Sequence, residues 1–423
     1  MKKLIIFFIA ILMLIPSFAL ADEKAVPAAE DLSGSCKYDG SRGSGVKGCL
    51  RDKDYNTYVT LYTKENVTIS WSEDVPVASV LVEFLRDPGA YTITQLDADG
   101  KEITSRDGLA GAINDLEYVS DKTRTVKIVC ESTKAIYPCG LKAYGKGEIS
   151  GRHKWMPTPE KLDYLVVAMH PDDDVLFLGA IMPIYTGEYG YVGASLVMAT
   201  NNRTRKDEYL NGEWELGQRT YPFCGGFPDI ASSSNAPADT KFNKDTVTLY
   251  LVRLIRKYKP EVVFSQDLGG EYGHWQHRRL SAWVKKAVPL AAKESYDQTS
   301  IDQYGTWQVK KHYIHLYEKN QIKLDVASPL SAFGGKNAFE VATAAFEWHV
   351  TQHNGHHWVK NEGVYSLSDF GLAYTTVGSD TEGKNDPFEH TGVISEKIIR
   401  KRIESFSMNA LSSIRHVVRG EVK

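Results

Sequence analysis

A short run of ionisable residues at the end of an apolar segment constrains this chain most strongly. Residues 165–169 (LVVAM) predict a buried strand of parallel type. Residues 170–174 (HPDDD) follow directly, and residues 175–182 form an apolar segment of helical length. Open α/β sheets place ligand sites at the carboxyl ends of their strands. Burying one imidazole and three carboxylates there is costly unless a cation or a tight hydrogen-bond network compensates the charge. The run therefore predicts a metal site.

A second predicted strand, residues 260–265, also ends in metal-ligand chemistry. Residues 269–277 (GGEYGHWQH) follow it and lead into a helix predicted over 278–290. His274 and His277 are three residues apart at the helix entry, so they can point to one side. A His-x-x-His pair alone is more often solvated than metal-bound. Two such junctions on neighbouring parallel strands would meet, and together they indicate a single metal site.

The sequence changes its pattern near residue 150, which predicts two domains. Residues 31–147 contain short β-branched or alternating segments separated by turn residues, and they predict an all-β sandwich. Residues 148–162 contain glycines and prolines and predict a linker. Over residues 163–390 strands alternate with amphipathic helices, which predicts an α/β domain with a Rossmann-like, mainly parallel sheet and flanking helices. Residues 391–423 predict a C-terminal helix that packs on this domain.

The amino terminus predicts export. Lys2 and Lys3 precede an apolar run over residues 4–15, and Ala-Leu-Ala at 19–21 fits a cleavage site, so residues 1–21 are expected to be a secretory signal peptide. The apolar run is shorter than the ~20 residues of a membrane span. We therefore expect a secreted, periplasmic or cell-surface bacterial protein without a transmembrane segment after signal removal.

Five cysteines in an exported chain indicate two disulfides and one unpaired thiol. Proximity in sequence favours Cys36 with Cys49 and Cys130 with Cys139, which leaves Cys224 unpaired and buried. Connectivity among four cysteines does not follow from sequence, so this pairing rests on proximity alone.

Residues 162–390 resemble the PIG-L/LmbE-like family, whose zinc-dependent members remove acetyl groups from N-acetylglucosamine-type sugars. The family has His-Pro-Asp-Asp-Glu after its first strand and Gly-His-x-x-His after a later one, and residues 170–174 and 273–277 follow both patterns. Three further family motifs match residues 205–208, 226–229 and 349–352.

The resemblance implies a ligand set and a catalytic base. His170, Asp173 and His277 would bind one Zn²⁺ per chain and leave an open position for water, as catalytic zinc requires. Asp172 would be the general base that takes the proton of this water as it attacks the acetyl carbonyl.

The resemblance also implies roles for four neighbouring residues. His274 would act as electrophile or general acid, and Tyr272 would donate a hydrogen bond to the oxyanion. Arg205 and Asp229 would hold the sugar, although an arginine at a helix start or an aspartate after a strand is often only a capping or ion-pair residue.

The motifs depart from the family pattern at two places. Asp174 replaces the usual glutamate and is expected to support the metal ligands without binding the metal itself. Trp275 and Gln276 replace the commoner Pro-Asp, and Gln276 is expected to orient His274 without supplying charge.

Residues 31–147 resemble discoidin-like, galactose-binding-fold modules, on the order of signals at 50–57 and 128–130. Modules of that family commonly bind sugars. A sandwich that only packs against its neighbour is an equal alternative, and the sequence indicates no binding residue.

Two further features remain open. His349, His353, His356 and His357 suggest either a second metal site or a polar helix end with exposed imidazoles, and the latter is favoured. Several tryptophans could be sugar platforms, although a core position is the default for each. These tryptophans are Trp214, Trp283, Trp348 and Trp358.

The sequence therefore predicts an exported zinc-dependent N-acetylglucosamine deacetylase with an amino-sugar-containing glycan or glycoconjugate as substrate. The formal charge of −3 becomes −5 without Lys2 and Lys3, which does not favour nucleic-acid binding. The alternatives are an amidase on a small amide of another glycoside or antibiotic, and a catalytically retired glycan-binding protein. Intact Asp172 and ligands favour an enzyme.

Overall fold

A computed structural model describes residues 27–52, 54–109, 111–230 and 242–393. The predicted signal peptide at 1–21 lies outside these residues. Residues 394–423, which make up most of the predicted C-terminal helix, also lie outside them. None of the helices in the described ranges is long and apolar enough to cross a membrane.

The first part of the chain folds into short antiparallel strands. They are β1 (Lys37–Gly40), β2 (Asn66–Ser70), β3 (Ser79–Phe84), β4 (Tyr91–Leu96), β5 (Glu102–Asp107), β6 (Asn114–Tyr118), β7 (Thr125–Cys130) and β8 (Pro138–Tyr144). A five-stranded sheet has the order β1-β2-β7-β4-β5, and a three-stranded sheet has the order β6-β3-β8. Helix α1 (Lys47–Arg51) precedes β2.

The two antiparallel sheets share one apolar core. Alternate side chains of β2, β3 and β7 are fully buried in it, as the period-2 pattern of these segments predicts. Five of these side chains are Val67, Ile69, Val80, Val82 and Ile128. The described residues of this region therefore form mainly antiparallel strands, with the short helix α1 among them.

The predicted disulfides are wrong, because all five cysteines are free thiols in the structure. Cys130 ends β7 in the larger sheet, whereas Cys139 lies in β8 of the smaller one. The Cys36 thiol instead donates to the carbonyl of Leu32 at 3.4 Å. Cys224 is only half-buried. Proximity in sequence was a poor guide because a disulfide depends on the distance and direction between two thiols in the fold.

The second part contains a seven-stranded sheet. Its strands are β9 (Tyr164–Ala168), β10 (Gly193–Val197), β11 (Phe223–Cys224), β12 (Val262–Ser265), β13 (Lys311–His315), β14 (Gln321–Lys323) and β15 (Asp369–Thr375). Their order is β11-β10-β9-β12-β13-β15-β14. The first five are parallel, and β15 and β14 extend the sheet antiparallel. The predicted mainly parallel α/β sheet is confirmed.

Helices cover both faces of this sheet. They are α2 (Asp173–Leu176), α3 (Arg203–Glu215), α4 (Lys244–Tyr258), α5 (Trp275–Leu290), α6 (Gln298–Tyr304) and α7 (Ala338–Phe346). Successive residues of β9 enter opposite cores, since Tyr164 and Val166 pack in one cluster and Leu165 and Val167 in the other. A strand covered on both faces is apolar throughout, which explains the uninterrupted apolar run before His170.

Helix α3 also forms much of the contact with the first part of the chain. Arg203 donates to the Asn114 side chain at 2.8 Å, and Asn114 in turn donates to Asp207 at 2.7 Å. Lys206 is buried and pairs with Asp87. The contact therefore orders the amino-terminal turns of α3 between two folded parts.

The predicted linker over 148–162 is packed into this contact. Arg152 lies nearly buried between Glu83 (3.1 Å) and Asp207 (2.9 Å), one from each part of the chain. Trp155 is buried in an apolar cluster with Ile113 and Leu210. These contacts restrict the relative motion of the two parts.

Replacing Arg152 with Met should lower the free energy of unfolding by about 3 kcal/mol, because Glu83 and Asp207 would lose a buried cation. Arg42→Met is the matched control, since its pair with Glu65 is exposed and contributes less than about 1 kcal/mol. Urea unfolding followed by circular dichroism measures both. Equal small losses would show that the contact at Arg152 does not hold the two parts together.

Candidate functional site

The two ligand-bearing motifs meet at the centre of the parallel sheet. β9 and β12 are adjacent, and the strand order runs outward from this pair in both directions. Residues 170–172 follow β9, and residues 266–274 follow β12, both at the carboxyl edge. This edge between two diverging halves is where open α/β sheets bind ligands. The predicted junction of the two motifs is therefore present.

Three predicted ligand atoms form a tight triangle at this edge. His170 Nδ1 lies 3.1 Å from Asp173 Oδ2 and 3.0 Å from His277 Nε2, and the remaining side, His277 Nε2 to Asp173 Oδ2, is 3.0 Å. All three residues are buried. Ligands that bond a tetrahedral zinc at 2.0–2.1 Å lie roughly 3.3 Å apart. The triangle fits such an ion.

His274 extends the cluster to three imidazoles. Ligand atoms of His170, His274 and His277 all lie within 4.8 Å of one another. Two alternative ligand sets therefore share His170 and His277 and differ in whether Asp173 or His274 is the third member. The Asp173 set is the tighter one. Across the described ranges, the cluster around His170 and His277 is the only place where three or more potential ligands lie this close together. The alternative of a second metal near His353 therefore gains no support.

Gln276 orients His170 rather than His274, which corrects the sequence-based expectation. Its Oε1 lies 3.2 Å from His170 Nε2 and accepts the Ile230 N–H at 3.1 Å, while its Nε2 donates to the carbonyl of Pro228 at 3.2 Å. The opposite imidazole nitrogen, Nδ1, is thereby directed into the triangle. Partners on the far nitrogen of a ligating histidine commonly set its orientation.

Asp172 has a backbone conformation that non-glycine residues rarely adopt, with φ 121° and ψ −33°. Its N–H donates to Asp174 Oδ1 at 3.0 Å, and its carboxylate accepts from Arg205 at 2.7 Å. Such strain persists only where the surroundings hold the residue in place. These contacts fix the Asp172 carboxylate beside the triangle.

Burial and charge move the pKa values of the two carboxyls in opposite directions. Desolvation and the neighbouring Asp173 raise the pKa of Asp172 well above its ordinary value, despite Arg205. Desolvation would also raise the pKa of Asp173, but His277 and His170 lower it well below its ordinary value. Asp173 is therefore the anionic member of the pair, and Asp172 is the more basic one.

His274 stays a neutral imidazole in this environment. Burial, followed by the nearby His277 and His170, lowers the pKa of His274 to about 4. Its Nδ1 is buried without a hydrogen-bond partner. His274 is therefore a neutral histidine at this edge, and its buried Nδ1 lacks a partner among the described residues.

Asp174 and Glu213 form a buried carboxyl pair behind Asp172. Burial raises the pKa of Asp174 to about 6, and burial together with Asp174 raises the pKa of Glu213 well above its ordinary value. Two carboxyls in contact retain a proton between them. The predicted supporting role of Asp174 therefore operates through the backbone of Asp172 and depends on Glu213 from α3.

Tyr272 stands at the mouth of the site. Its ring centroid lies 5.4 Å from that of His277, its side chain is 45% exposed, and its backbone φ of 45° is left-handed. The adjacent Glu271 is fully buried and pairs with His315 at 2.8 Å. This pair anchors the turn that presents Tyr272.

Arg205 and Asp229 contact each other, at 3.1 Å. Arg205 is nearly buried and also donates to the carbonyl of Pro171, whereas the Asp229 side chain is 39% exposed. The structure thus places both predicted sugar-binding residues beside Asp172, with Asp229 the more accessible to a ligand.

Sequence reasoning missed four residues that hold the site together. Gln266 accepts the Met169 N–H at 2.8 Å and so joins the ends of β9 and β12. Glu213, Glu271 and His315 are buried ionisable residues whose partners come from distant elements. The sequence could have indicated these residues only by an ionisable side chain within a segment predicted to be buried. Their partners are distant in sequence and become neighbours only in the fold.

A family model described as PIG-L: GlcNAc-PI de-N-acetylase matches residues 165–288. This stretch is therefore a PIG-L domain, and the predicted resemblance is confirmed for it. Over 176 residues the chain is 30% identical to 1D-myo-inositol 2-acetamido-2-deoxy-alpha-D-glucopyranoside deacetylase 1 of Frankia casuarinae, a match covering 35% of this chain and 56% of that protein. The chain spans just over half the length of the first curated relatives that it matches.

Two solved structures are each similar to part of the chain. N,N'-diacetylchitobiose deacetylase from Pyrococcus horikoshii aligns over 45% of this chain and 71% of its own, with 17% identity and a TM-score of 0.36. The family 32 CBM from C. perfringens NanJ, in complex with galactose, aligns over 27% of this chain and 98% of its own, with 10% identity and a TM-score of 0.24.

Replacing Asp174 with Ala should lower the free energy of unfolding by roughly 1–3 kcal/mol, because the buried N–H of Asp172 would lose its acceptor. Asp174→Asn keeps an acceptor oxygen and should lose less than half as much. Urea unfolding of both variants measures the difference, with the exposed Asp121→Ala as control at within about 0.5 kcal/mol of wild type. Equal losses for Ala and Asn would contradict the role given to Asp174.

Proposed function

We propose that the protein is an exported, zinc-dependent hydrolase that removes the N-acetyl group from an N-acetylglucosamine-type unit of a glycan or glycoconjugate. The observation that carries the proposal is the triangle of His170, Asp173 and His277, with sides of 3.0–3.1 Å, beside the buried Asp172. The match of residues 165–288 to a GlcNAc-PI de-N-acetylase model and the names of the curated relatives support the amide and the amino sugar.

The donor set supports zinc as the metal. Two imidazole nitrogens and one carboxylate oxygen are the ligands of many catalytic zinc sites with an open position. When bound, zinc lowers the pKa of a coordinated water towards ~7 and polarises a carbonyl oxygen. Among the described residues, Asp173 Oδ1 is buried without a hydrogen-bond partner, and the imidazoles of His277 and His170 lower the pKa of Asp173. A cation would supply a partner for this oxygen and a counter-charge.

Asp172 is the residue that we assign as general base. It accepts the proton of the attacking water as the new carbon–oxygen bond forms at the acetyl carbonyl, and the amine leaves with a proton as the carbon–nitrogen bond breaks. Burial raises the pKa of Asp172, which makes it a stronger base near neutral pH. Arg205, at 2.7 Å, keeps the carboxylate oriented.

Three further residues surround the position of the acetyl group. We assign His274, which lies beside His170 and His277, to the oxyanion or the leaving amine, and Tyr272 to a hydrogen bond with the oxyanion. Asp229 is accessible and accepts sugar hydroxyls in this proposal. Arg205 takes part through the orientation of Asp229 and Asp172.

The setting of the enzyme is also part of the proposal. The signal-like residues 1–21 support a secreted, periplasmic or cell-surface location. Residues 31–147 are proposed to be a discoidin-like sandwich that binds glycan, and the two antiparallel sheets with one core support this architecture.

The first experiment measures acetate release from a panel of N-acetylglucosamine-containing glycans, with the metal content of the same purified sample. We expect close to one zinc per chain and acetate from at least one glycan. If the protein binds zinc but releases no acetate from any glycan, the result would favour an amide of another glycoside or antibiotic as the substrate. If the purified protein binds no metal, the result would favour a glycan-binding function without catalysis.

Asp172→Asn should retain zinc and lose turnover by roughly 10²–10⁴-fold, because the general base is removed while the ligands remain. His277→Ala should lose both zinc and turnover. His274→Ala should lose turnover and keep zinc if Asp173 is the third ligand. Metal analysis after dialysis and acetate release measure these differences. Equal zinc loss in the Asp172 and His277 variants would overturn the assignment of roles.

Gln276→Leu should weaken zinc binding about 10–100-fold, because His170 Nε2 loses its nearer partner at 3.2 Å and keeps only the more distant Asp229 Oδ1 at 3.5 Å. Gln298→Leu is the control, since Gln298 is an exposed glutamine of α6 that bonds only Asp302. Competition with a chelator measures the affinity. Unchanged zinc affinity in Gln276→Leu would show that the orientation of the His170 ring does not depend on its contact with Gln276.

A further inference from the structure

A cavity of about 200 Å³ adjoins the candidate site. It is bounded by an apolar floor, five aromatic or imidazole side chains and a lysine. The lining residues are Leu176, Phe177, Tyr272, His356, His357, Trp358, Lys360 and Tyr365. Pockets that enclose whole drug-sized ligands have volumes of roughly 300–1,000 Å³, so this cavity suits one ring-sized unit.

The cavity is continuous with the site through two elements. Tyr272 forms a shared wall, because its ring centroid lies 5.4 Å from His277 on one side and 5.4 Å from His357 on the other. Leu176 and Phe177 form the floor and belong to or directly follow α2, the helix that begins at Asp173. The cavity is therefore within one side chain of the triangle.

Two aromatic residues of the cavity, Tyr272 and Trp358, are exposed rather than packed in the core. Trp358 is 58% exposed, and it is the tryptophan for which a sequence-based core position is wrong. Tyr365 has a left-handed φ of 70°, as Tyr272 does at 45°. Exposed aromatic faces beside an active site commonly stack on the apolar faces of sugar rings.

The charge on the lining of the cavity is positive and comes from Lys360. Lys360 Nζ lies 5.1 Å from the centroid of Trp358 and 5.3 Å from that of Tyr365, so it sits between the two rings. Among the described residues that line the cavity, none carries a carboxylate. His356 and His357 add further nitrogen atoms at the rim. An acidic group on the ligand would complement this rim.

We propose that this cavity is a second sugar subsite, which binds the unit next to the N-acetylated sugar and favours a unit that carries an anionic group. The proposal rests on the deacetylase function proposed above and names the class of its substrate. Trp358 supplies the stacking face, Lys360 the positive charge, and Tyr272 connects the subsite to the metal ligands.

The test compares acetate release from four substrates. These are N-acetylglucosamine alone and three disaccharides of one linkage whose second unit is a neutral hexose, a hexuronate or a hexose phosphate. The variants are Trp358→Ala, Lys360→Met and, as control, Tyr189→Ala, which removes a comparably exposed tyrosine elsewhere on the same domain.

Wild-type protein should prefer an anionic disaccharide over the neutral one about tenfold in kcat/KM. Lys360→Met should abolish this preference and leave the neutral disaccharide unchanged. Trp358→Ala should raise KM about tenfold for every disaccharide while the monosaccharide stays within about twofold. Tyr189→Ala should match wild type. The hexuronate and phosphate arms identify the anion.

A loss in Trp358→Ala that is equal for monosaccharide and disaccharides, or no loss at all, would overturn the subsite. Zinc-loaded wild type that releases no acetate from any substrate would instead count against the deacetylase. In that event calorimetric titration with the hexuronate disaccharide decides the subsite separately. Binding that weakens tenfold or more in Trp358→Ala supports it, and no binding or equal binding overturns it.

Discussion

The pairing of β9 with β12 brings two imidazoles and a carboxylate within 3.0–3.1 Å of one another in a buried place, and the rest of the site depends on this contact. Such a group is unstable without compensation, because desolvated polar atoms need partners and desolvated charge needs a counter-charge. The surrounding structure supplies part of that compensation. Gln276 holds the far side of His170, and Gln266 ties the two strand ends together. A cation would supply the remaining part, which is why zinc is central to the proposed function.

Helix α3 connects this site to the rest of the molecule. Arg205 reaches Asp172 from its first turn, and Glu213 from its last turn pairs with Asp174. Between them, Glu208 accepts from the N–H and hydroxyl of Thr351, which fixes the segment that leads to Trp358. The opposite side of α3 binds the antiparallel sheets through Asn114. The first part of the chain therefore supports the site by holding one of its helices, whether or not it binds a glycan itself.

Much of the fold and the centre of the site could be predicted from local sequence, and the failures have a common cause. The apolar run before His170 predicted β9 because a strand buried on both faces needs no polar residue. The ligand motifs were found because they occupy two strand ends. By contrast, α3 buries lysine and glutamate side chains on several sides, and no single apolar stripe distinguishes its buried face. Its charges are satisfied by residues far away in sequence, so their partners could not be inferred.

The sequence by itself determined the parallel sheet, the antiparallel strands before it, and the identity of the imidazoles and carboxylates at the two strand ends, because each depends on short-range periodicity or on a motif. Only the tertiary structure decided which nitrogen of His170 faces the triangle, that Gln276 serves His170 rather than His274, that the five cysteines are free, and that Trp358 lines a cavity beside Tyr272. These are distances and orientations between residues separated by tens to hundreds of positions. They are set by the packing of strands and helices, which brings remote side chains together in ways that local pattern does not encode.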